Sequence, residues 1–271
     1  MGDENKIRDA ADAIKGIVEA VPVYEDAVRP AAKEIGVALQ TVAKTVHIAL
    51  APVSALLWGY EQIKEYLEQR LTEKLRDVPP ERIITPSPAV VGPAVESLRF
   101  TAQEPSLREL YASLIATALD AQTAFDAHPA FVEIIRQLNP NEALLLPALR
   151  HEAISPLITL VGEFYSTREK RLVRWNFLHN FSLLPDKVTF PSPCLFNRYL
   201  DNFRRLGLVE IIDRPLIEES YTPLMQHRTF KFSLTDIERR PQSRSEVVKQ
   251  HLKVTYFGMQ FLDACLETHR A

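Results

Sequence analysis

The stretch HPAFVEIIRQLNPNEA, residues 128–143, holds the end of one helix and the start of the next. A helix is predicted after Pro129, because four apolar residues follow it at helical spacing, namely Phe131, Ile134, Ile135 and Leu138. Asn139 is a suitable N-cap for the second helix, Pro140 suits its first position, and Glu142 stands at the capping-box position. We therefore divide the chain at this junction.

The region before the junction, residues 1–138, is predicted to be a bundle of amphipathic helices. Apolar residues recur at helical spacing over residues 7–21, 30–51 and 53–77. A proline-rich connection follows at 77–92, and Ser106 and Glu109 then match a capping box. The apolar stripe of residues 30–51 is typical of a helix-packing seam, and a protein partner or a second copy of the chain is a candidate partner for the helices of residues 30–76.

The region after the junction, residues 139–271, is predicted to be a winged-helix-like α+β domain. The helix at Asn139–Arg150 is its first helix, and a helix at 194–206 is its recognition-helix equivalent. Gly207 suits the end of that helix, and Leu208–Ile212 has the composition of a strand. Thr229–Leu234 alternates like a hairpin partner, and a closing helix begins near Thr255. The expected fold class is mainly α.

Composition indicates an ordinary globular protein. The chain has 271 residues, of which 46% are hydrophobic and 25% are charged, and its net charge is −3. The charge is uneven: residues 1–135 contain 13 Lys/Arg and 20 Asp/Glu, whereas residues 136–271 contain 19 and 15. The mildly basic second half is compatible with a polyanionic partner. Only two cysteines occur, so a reduced, cytoplasmic protein is expected.

Sequence motifs give no catalytic, cofactor or metal site. The eight glycines are too far apart for a P-loop or a dinucleotide fingerprint. His151-Glu152 begins like a zinc-binding H-E-x-x-H motif, but Ser155 stands where the second histidine would be. We therefore expect no metal and no cofactor. A protein without enzymatic activity is the favoured interpretation.

One candidate for ribonuclease chemistry is Arg174 with His179. Their spacing fits R-x(4–6)-H, which resembles the motif of HEPN-type ribonucleases, and this resemblance implies a histidine base and an arginine phosphate clamp. Trp175 departs from the polar residue that usually follows that arginine. Arg244 and His251 match the same spacing, and two matches are about what chance gives in this composition.

Binding surfaces are the other candidates. The helix at 194–206 carries Arg198, Asn202, Arg204 and Arg205, which predicts nucleic-acid contact, although a solvated helix face has the same composition. Val46–Trp58 is apolar but too short to span a bilayer, which leaves a buried helix or, less favoured, a membrane-surface role.

Several segments resemble the Abi-alpha (abortive infection alpha) family of bacterial proteins. They are Glu34-Ile35-Gly36, Trp58-Gly59-Tyr60, residues 71–75, residues 108–116, residues 128–143 and residues 254–265. Tyr111 stands where a tryptophan is expected. The resemblance implies phage defence by abortive infection and supplies no catalytic residue. Together these observations predict an interaction or sensor module, with a ribonuclease toxin or a membrane-active effector as alternatives.

Overall fold

The computed structural model describes residues 60–188 and 195–266. Five helices make up its first part: α1 (Tyr60–Lys74), α2 (Pro88–Thr101), α3 (Pro105–Leu119), α4 (Pro129–Arg136) and α5 (Pro140–His151). Four of them, α2 to α5, begin at a proline, whose fixed φ suits the first helical turn and whose missing N–H is not needed there. The predicted helices at 7–21 and 30–51, the apolar segment Val46–Trp58 and Cys194 lie outside the described residues.

Helix α3 is the centre of the helical part. Every residue from Leu110 to Leu119 is buried, and α1, α2, α5 and the last helix of the chain pack around it. The apolar stripe of α1 is also buried, as expected for this helix; its residues include Ile63, Leu67 and Leu71.

The junction at residue 139 forms as the sequence predicts. Asn139 Oδ1 accepts hydrogen bonds from the backbone N–H groups of Asn141 and Glu142, and Glu142 Oε2 accepts one from the N–H of Asn139. The main apolar core nevertheless contains side chains from both sides of this junction, from Ile63 to Cys265. The division into two domains at residue 139 stays a prediction.

Two local expectations before the junction are wrong. Helix α2 already begins at Pro88, inside the proline-rich connection expected at 77–92. The capping box expected at Ser106 and Glu109 does not form, because α3 begins two residues earlier, with Glu104 as its N-cap. Ser106 Oγ instead donates a hydrogen bond to the carbonyl of Pro140 at 3.1 Å. Glu109 is thereby free to contact α1.

After α5 the chain forms a four-stranded antiparallel sheet. Its strands are β1 (Ile154–Ser166), β2 (Arg171–Phe181), β3 (Val209–Ile212) and β4 (Arg244–Val254), in the order β2-β1-β4-β3. The hairpin β1–β2 has no counterpart among the sequence predictions. Both faces of β1 are covered, since Leu157 lies in the main core whereas Ile158 and Leu160 lie in a second one. A strand that is buried on both faces lacks the alternation of apolar and polar residues by which strands are recognised in a sequence.

Four helices complete the described part: α6 (Phe196–Arg205), α7 (Thr222–Gln226), α8 (Arg228–Glu238) and α9 (Tyr256–Leu266). The strand expected at Thr229–Leu234 is therefore wrong, because this segment lies within α8. Phe230 and Ile237 are seven residues apart, so they share one helix face and bury it against the sheet in the second core. Strand β3 pairs with β4 instead.

Candidate nucleic-acid interface

Two of the four residues expected to read nucleic acid from α6 serve internal contacts. Asn202 Nδ2 donates to the carbonyl of Gln137 at 3.1 Å and to Glu142 Oε1 at 2.9 Å. Arg205 donates to Gln137 Oε1 at 2.8 Å and to Asn202 Oδ1 at 2.7 Å. These bonds fix α6 to the end of α4 and the start of α5. Burial raises the pKa of Glu142, although the bonds from Asn139 and Asn202 oppose that shift.

The other two residues, Arg198 and Arg204, are exposed on α6. The Arg204 guanidinium lies 3.8 Å from the carboxylate of Asp201, which reduces its attraction for a phosphate. On the predicted basic face of α6, Asn202 and Arg205 make internal contacts, and Arg205 is exposed like Arg198 and Arg204.

The ribonuclease candidates Arg174 and His179 have separate partners. Both lie on β2, and five residues of extended strand place their Cα atoms about 17 Å apart. Arg174 forms an ion pair with Glu246 at 2.7 Å, whereas His179 Nε2 lies 3.2 Å from Asn180 Nδ2. Arg244 and His251, the other pair with this spacing, lie near opposite ends of β4.

A concentration of cations lies at the far end of the sheet. The β1–β2 turn carries Arg168 and Lys170, Arg239 follows the end of α8, and Arg244 is the first residue of β4. A hydrogen bond of 3.1 Å from the N–H of Tyr165 to the carbonyl of Pro241 holds the β1–β2 turn and the α8–β4 connection side by side. We call these four cations the basic tip.

The side chains of the basic tip are exposed and lack acidic partners. Within the described part of the chain, no carboxylate oxygen lies within 4.0 Å of any of the four. Neighbouring cations do have such partners: Arg171 pairs with Glu169 at 2.5 Å, and Arg240 pairs with Asp236 at 2.9 Å. The basic tip therefore has charge available for an external anion.

An exposed aromatic side chain lies on β2, five residues after Lys170 of the tip. Trp175 is 66% exposed on β2, which forms an outer edge of the sheet. Its partner in register on β1 is Gly162, which has no side chain to cover the indole. A Cβ at position 162 would lie 2.5 Å from Cε2 of Phe177, so glycine is required for the packing behind this strand.

Arg240 has a structural role in positioning the tip. Its guanidinium carbon lies 4.5 Å from the ring centroid of Phe164 and 5.0 Å from that of Phe177. These cation–π contacts hold the end of α8 against the β1–β2 hairpin, and the two phenylalanine rings pack edge to face at 5.9 Å.

The sequence does contain a signal for this surface. Residues 167–175 read TREKRLVRW, in which four cations are followed directly by a tryptophan. Basic residues combined with an aromatic one are the composition of a single-stranded nucleic-acid site. Of this segment, only Arg174 is a candidate from its sequence spacing, because the turn that exposes the other cations is not predicted by any local pattern.

Two other kinds of site are absent from the described residues. In residues 60–188 and 195–266, no helix combines the length and hydropathy needed to cross a membrane. Nor do these residues contain a group of three or more His, Cys, Asp or Glu side chains that could hold a metal ion.

Comparisons with known proteins give the family. No curated protein matches the chain. A solved structure of an uncharacterized protein from the hydrocarbon-degrading marine bacterium Alcanivorax borkumensis SK2 is similar, with 18% identity, a TM-score of 0.29, and coverage of 49% of this chain and 89% of that chain. The sequence profile of the abortive infection alpha family matches residues 59–265, and the chain belongs to this family.

Proposed function

We propose that the protein acts in abortive infection as an interaction module that binds single-stranded nucleic acid through the basic tip and Trp175. The observations that carry the proposal are four exposed cations that have no acidic partner among the described residues, and Trp175 on the adjoining strand β2, which is 66% exposed. Phage defence itself is the setting that membership of the family supports.

The charges suit a nucleic-acid backbone. Unpaired Lys and Arg side chains bind phosphates and release the counterions condensed on the polymer, which makes affinity strongly dependent on salt. The chain as a whole carries −3, so its overall field does not attract a polyanion. Binding is therefore expected to be local to the tip and weak at high ionic strength.

The exposed indole favours single strands over duplex. An unpaired base can stack on Trp175, whereas the bases of a duplex already stack on one another. Stacking is tolerant of sequence because every base has a π-face. The interface is thus expected to bind RNA or DNA single strands with little sequence preference.

We include the winged-helix-like arrangement of α5, α6, β3 and β4 in this proposal. It is supported by the antiparallel β3–β4 pair that follows α6 and Gly207. The hairpin β1–β2 is then an addition to that arrangement. The addition contributes Arg168, Lys170 and Trp175, while α6 is partly occupied by internal contacts.

The test is fluorescence anisotropy with labelled oligonucleotides of about 12 nucleotides, within the site size of such modules. The variant Arg168→Gln/Lys170→Gln/Arg244→Gln is compared with Arg198→Gln/Arg204→Gln, a matched change on α6. We expect the tip variant to weaken single-strand binding at least tenfold and the α6 variant to change it less than twofold. The slope of log affinity against log salt should also shrink by about 2 for the tip variant, since each single-strand contact contributes about 0.7.

Either of two results would refute the proposal. One is a chain that binds neither single-stranded RNA nor DNA at low salt. The other is a stronger loss in the α6 variant than in the tip variant, which would return the interface to the helix predicted from the sequence.

A further inference from the structure

We propose that a cleft beside β3 is a second site, which binds a small phosphate-bearing ligand of the nucleotide class. The cleft lies between the ends of β3 and β4 and the chain that follows β3. Its volume is about 570 Å³, within the usual range for small-molecule sites.

Nitrogen donors line one side of the cleft. Arg214, Lys253 and His251 all contribute to the lining, and the lining contains no acidic residue. No carboxylate among the described residues lies within 4.0 Å of the Arg214 guanidinium. Lys253 pairs with Glu210 at 3.2 Å, but both side chains are about half exposed. Such a surface pair is weak, so a phosphate can compete with the carboxylate for Lys253.

The neighbouring carboxylates are already engaged elsewhere. Asp213 accepts a hydrogen bond from the side chain of Gln250, and Glu218 forms an ion pair with Lys249. The lining itself carries the two cations Arg214 and Lys253 and no carboxylate, which is complementary to an anionic ligand and repels a cation.

His251 is fixed in one orientation at the back of the cleft. It is 9% exposed, and its Nδ1 lies 2.6 Å from the carbonyl oxygen of Arg214. A carbonyl only accepts, so Nδ1 carries the proton, and in the neutral ring Nε2 is left as an acceptor. This nitrogen has no hydrogen-bond partner among the described residues, and it suits a sugar hydroxyl.

The rest of the lining includes apolar side chains. Ile212, Leu216 and Ile217 are among them, and Ile217 is 73% exposed. The buried Tyr221 hydroxyl accepts from the N–H of Leu216 at 2.9 Å and donates to the carbonyl of Gln250 at 2.8 Å, which anchors this part of the lining to β4. A planar base can cover these side chains, so the cleft combines an apolar surface, a hydroxyl acceptor and two cations.

This site is distinct from the basic tip. Arg244 belongs to the tip, and His251 is seven residues further along β4, a distance of about 23 Å on an extended strand. Substitutions that remove ligand binding at one site should therefore leave binding at the other site intact.

The test is isothermal titration calorimetry on the full chain with four probes: AMP, ADP, adenosine and inorganic phosphate. We expect AMP and ADP to bind, and adenosine and phosphate each to bind at least tenfold more weakly. Arg214→Gln and Lys253→Gln should each weaken AMP binding about tenfold or more, since each removes a charge-assisted contact. Arg214→Gln preserves the backbone carbonyl that holds His251.

The control is Arg168→Gln/Lys170→Gln/Arg244→Gln, which should bind AMP like the unaltered chain while losing single-strand affinity. Absence of AMP and ADP binding, or phosphate binding as tight as AMP binding, would overturn the inference. So would AMP affinity that drops in the tip variant and is unchanged by both cleft substitutions, because AMP would then be occupying the nucleic-acid interface.

Discussion

The ammonium nitrogen of Lys74 lies 2.7 Å from Oε1 of Glu109, and only 4% of the Lys74 side chain is exposed. Two further side chains of α1 donate to the same carboxylate: Arg70 Nε and the Tyr66 hydroxyl each lie 3.0 Å from Oε2. One carboxylate on α3 thus receives the polar groups of three residues on α1. The contact joins residues 71–75 to residues 108–116, two of the segments that resemble the family.

Replacing Glu109 with Ala should destabilise the protein, because it leaves the Lys74 charge buried without a partner. Breaking a fully buried pair costs about 3–5 kcal/mol, and the 36% exposure of Glu109 reduces the expected loss to about 2 kcal/mol. The measurement is urea unfolding followed by circular dichroism. Glu73→Ala is the matched control, since Glu73 pairs with Arg70 at the surface, and it should change the free energy of unfolding by less than about 0.5 kcal/mol. Equal losses in the two variants would show that the Lys74 pair does not hold α1.

The same carboxylate should make stability depend on acid pH. Burial alone raises the pKa of Glu109, but hydrogen bonds from Arg70, Lys74 and Tyr66 outweigh it and hold the pKa below its ordinary value of 4.5. The unfolded chain then binds the proton more readily than the folded one, so the free energy of unfolding falls as pH drops below about 4.5. Glu109→Gln should reduce this dependence in unfolding titrations between neutral and acid pH. A pH profile identical to that of the unaltered chain would contradict the assignment.

Gly258 should be intolerant of a side chain. A Cβ there would lie 2.1 Å from the carbonyl oxygen of Leu208, a backbone atom that cannot move without displacing β3 from α9. Gly258→Ala is expected to cost about 3 kcal/mol, by the mechanism of overpacking.

Gly92→Ala is the control for that substitution. Gly92 lies within α2, and a Cβ at this position would meet no atom within 4 Å. Alanine should therefore stabilise the helix by about 0.5–1 kcal/mol. The check is the midpoint of thermal unfolding for both variants, and a Gly258→Ala protein as stable as Gly92→Ala would refute the close approach of α9 to Leu208.

Trp175 should matter for binding and hardly for stability. Because its side chain is 66% exposed, Trp175→Ala is expected to change the free energy of unfolding by less than about 0.5 kcal/mol. Loss of one base stack should weaken single-strand binding about tenfold, and Trp175→Phe should retain most of the affinity. Anisotropy measurements on both variants decide this. Equal affinity of Trp175→Ala and the unaltered chain would remove the indole from the interface.

The helix starts at residues 129 and 140 are the part of the fold that sequence reasoning predicted best. The capping box at Asn139 and Glu142 forms as expected, and so does the helix after Pro129. These features depend on residues only three or four positions apart, whose backbone and side-chain groups meet in any helix that starts there.

The segment Thr229–Leu234 shows where such reasoning failed. Its alternation fits a strand, but the segment is helical because Phe230 and Ile237 together cover the sheet. The helix is preferred because the β1–β2 hairpin lies beneath these two side chains. The hairpin itself was not predicted, since apolar and polar residues do not alternate in β1. A local pattern compatible with two structures is decided by the surface against which it packs.

For the candidate sites too, local sequence supplied part of the answer and tertiary packing supplied the rest. The sequence by itself determined which side chains carry charge, and it placed Arg198, Asn202, Arg204 and Arg205 together on one helix. Only the tertiary structure decided that Asn202 and Arg205 are bound by Gln137 and Glu142, while Arg168 and Lys170 have no acidic partner in the part of the chain that the structure describes. The physical reason is that a polar side chain is available to a ligand only when no neighbour satisfies it, and its neighbours here come from residues about 60 or more positions away in the chain.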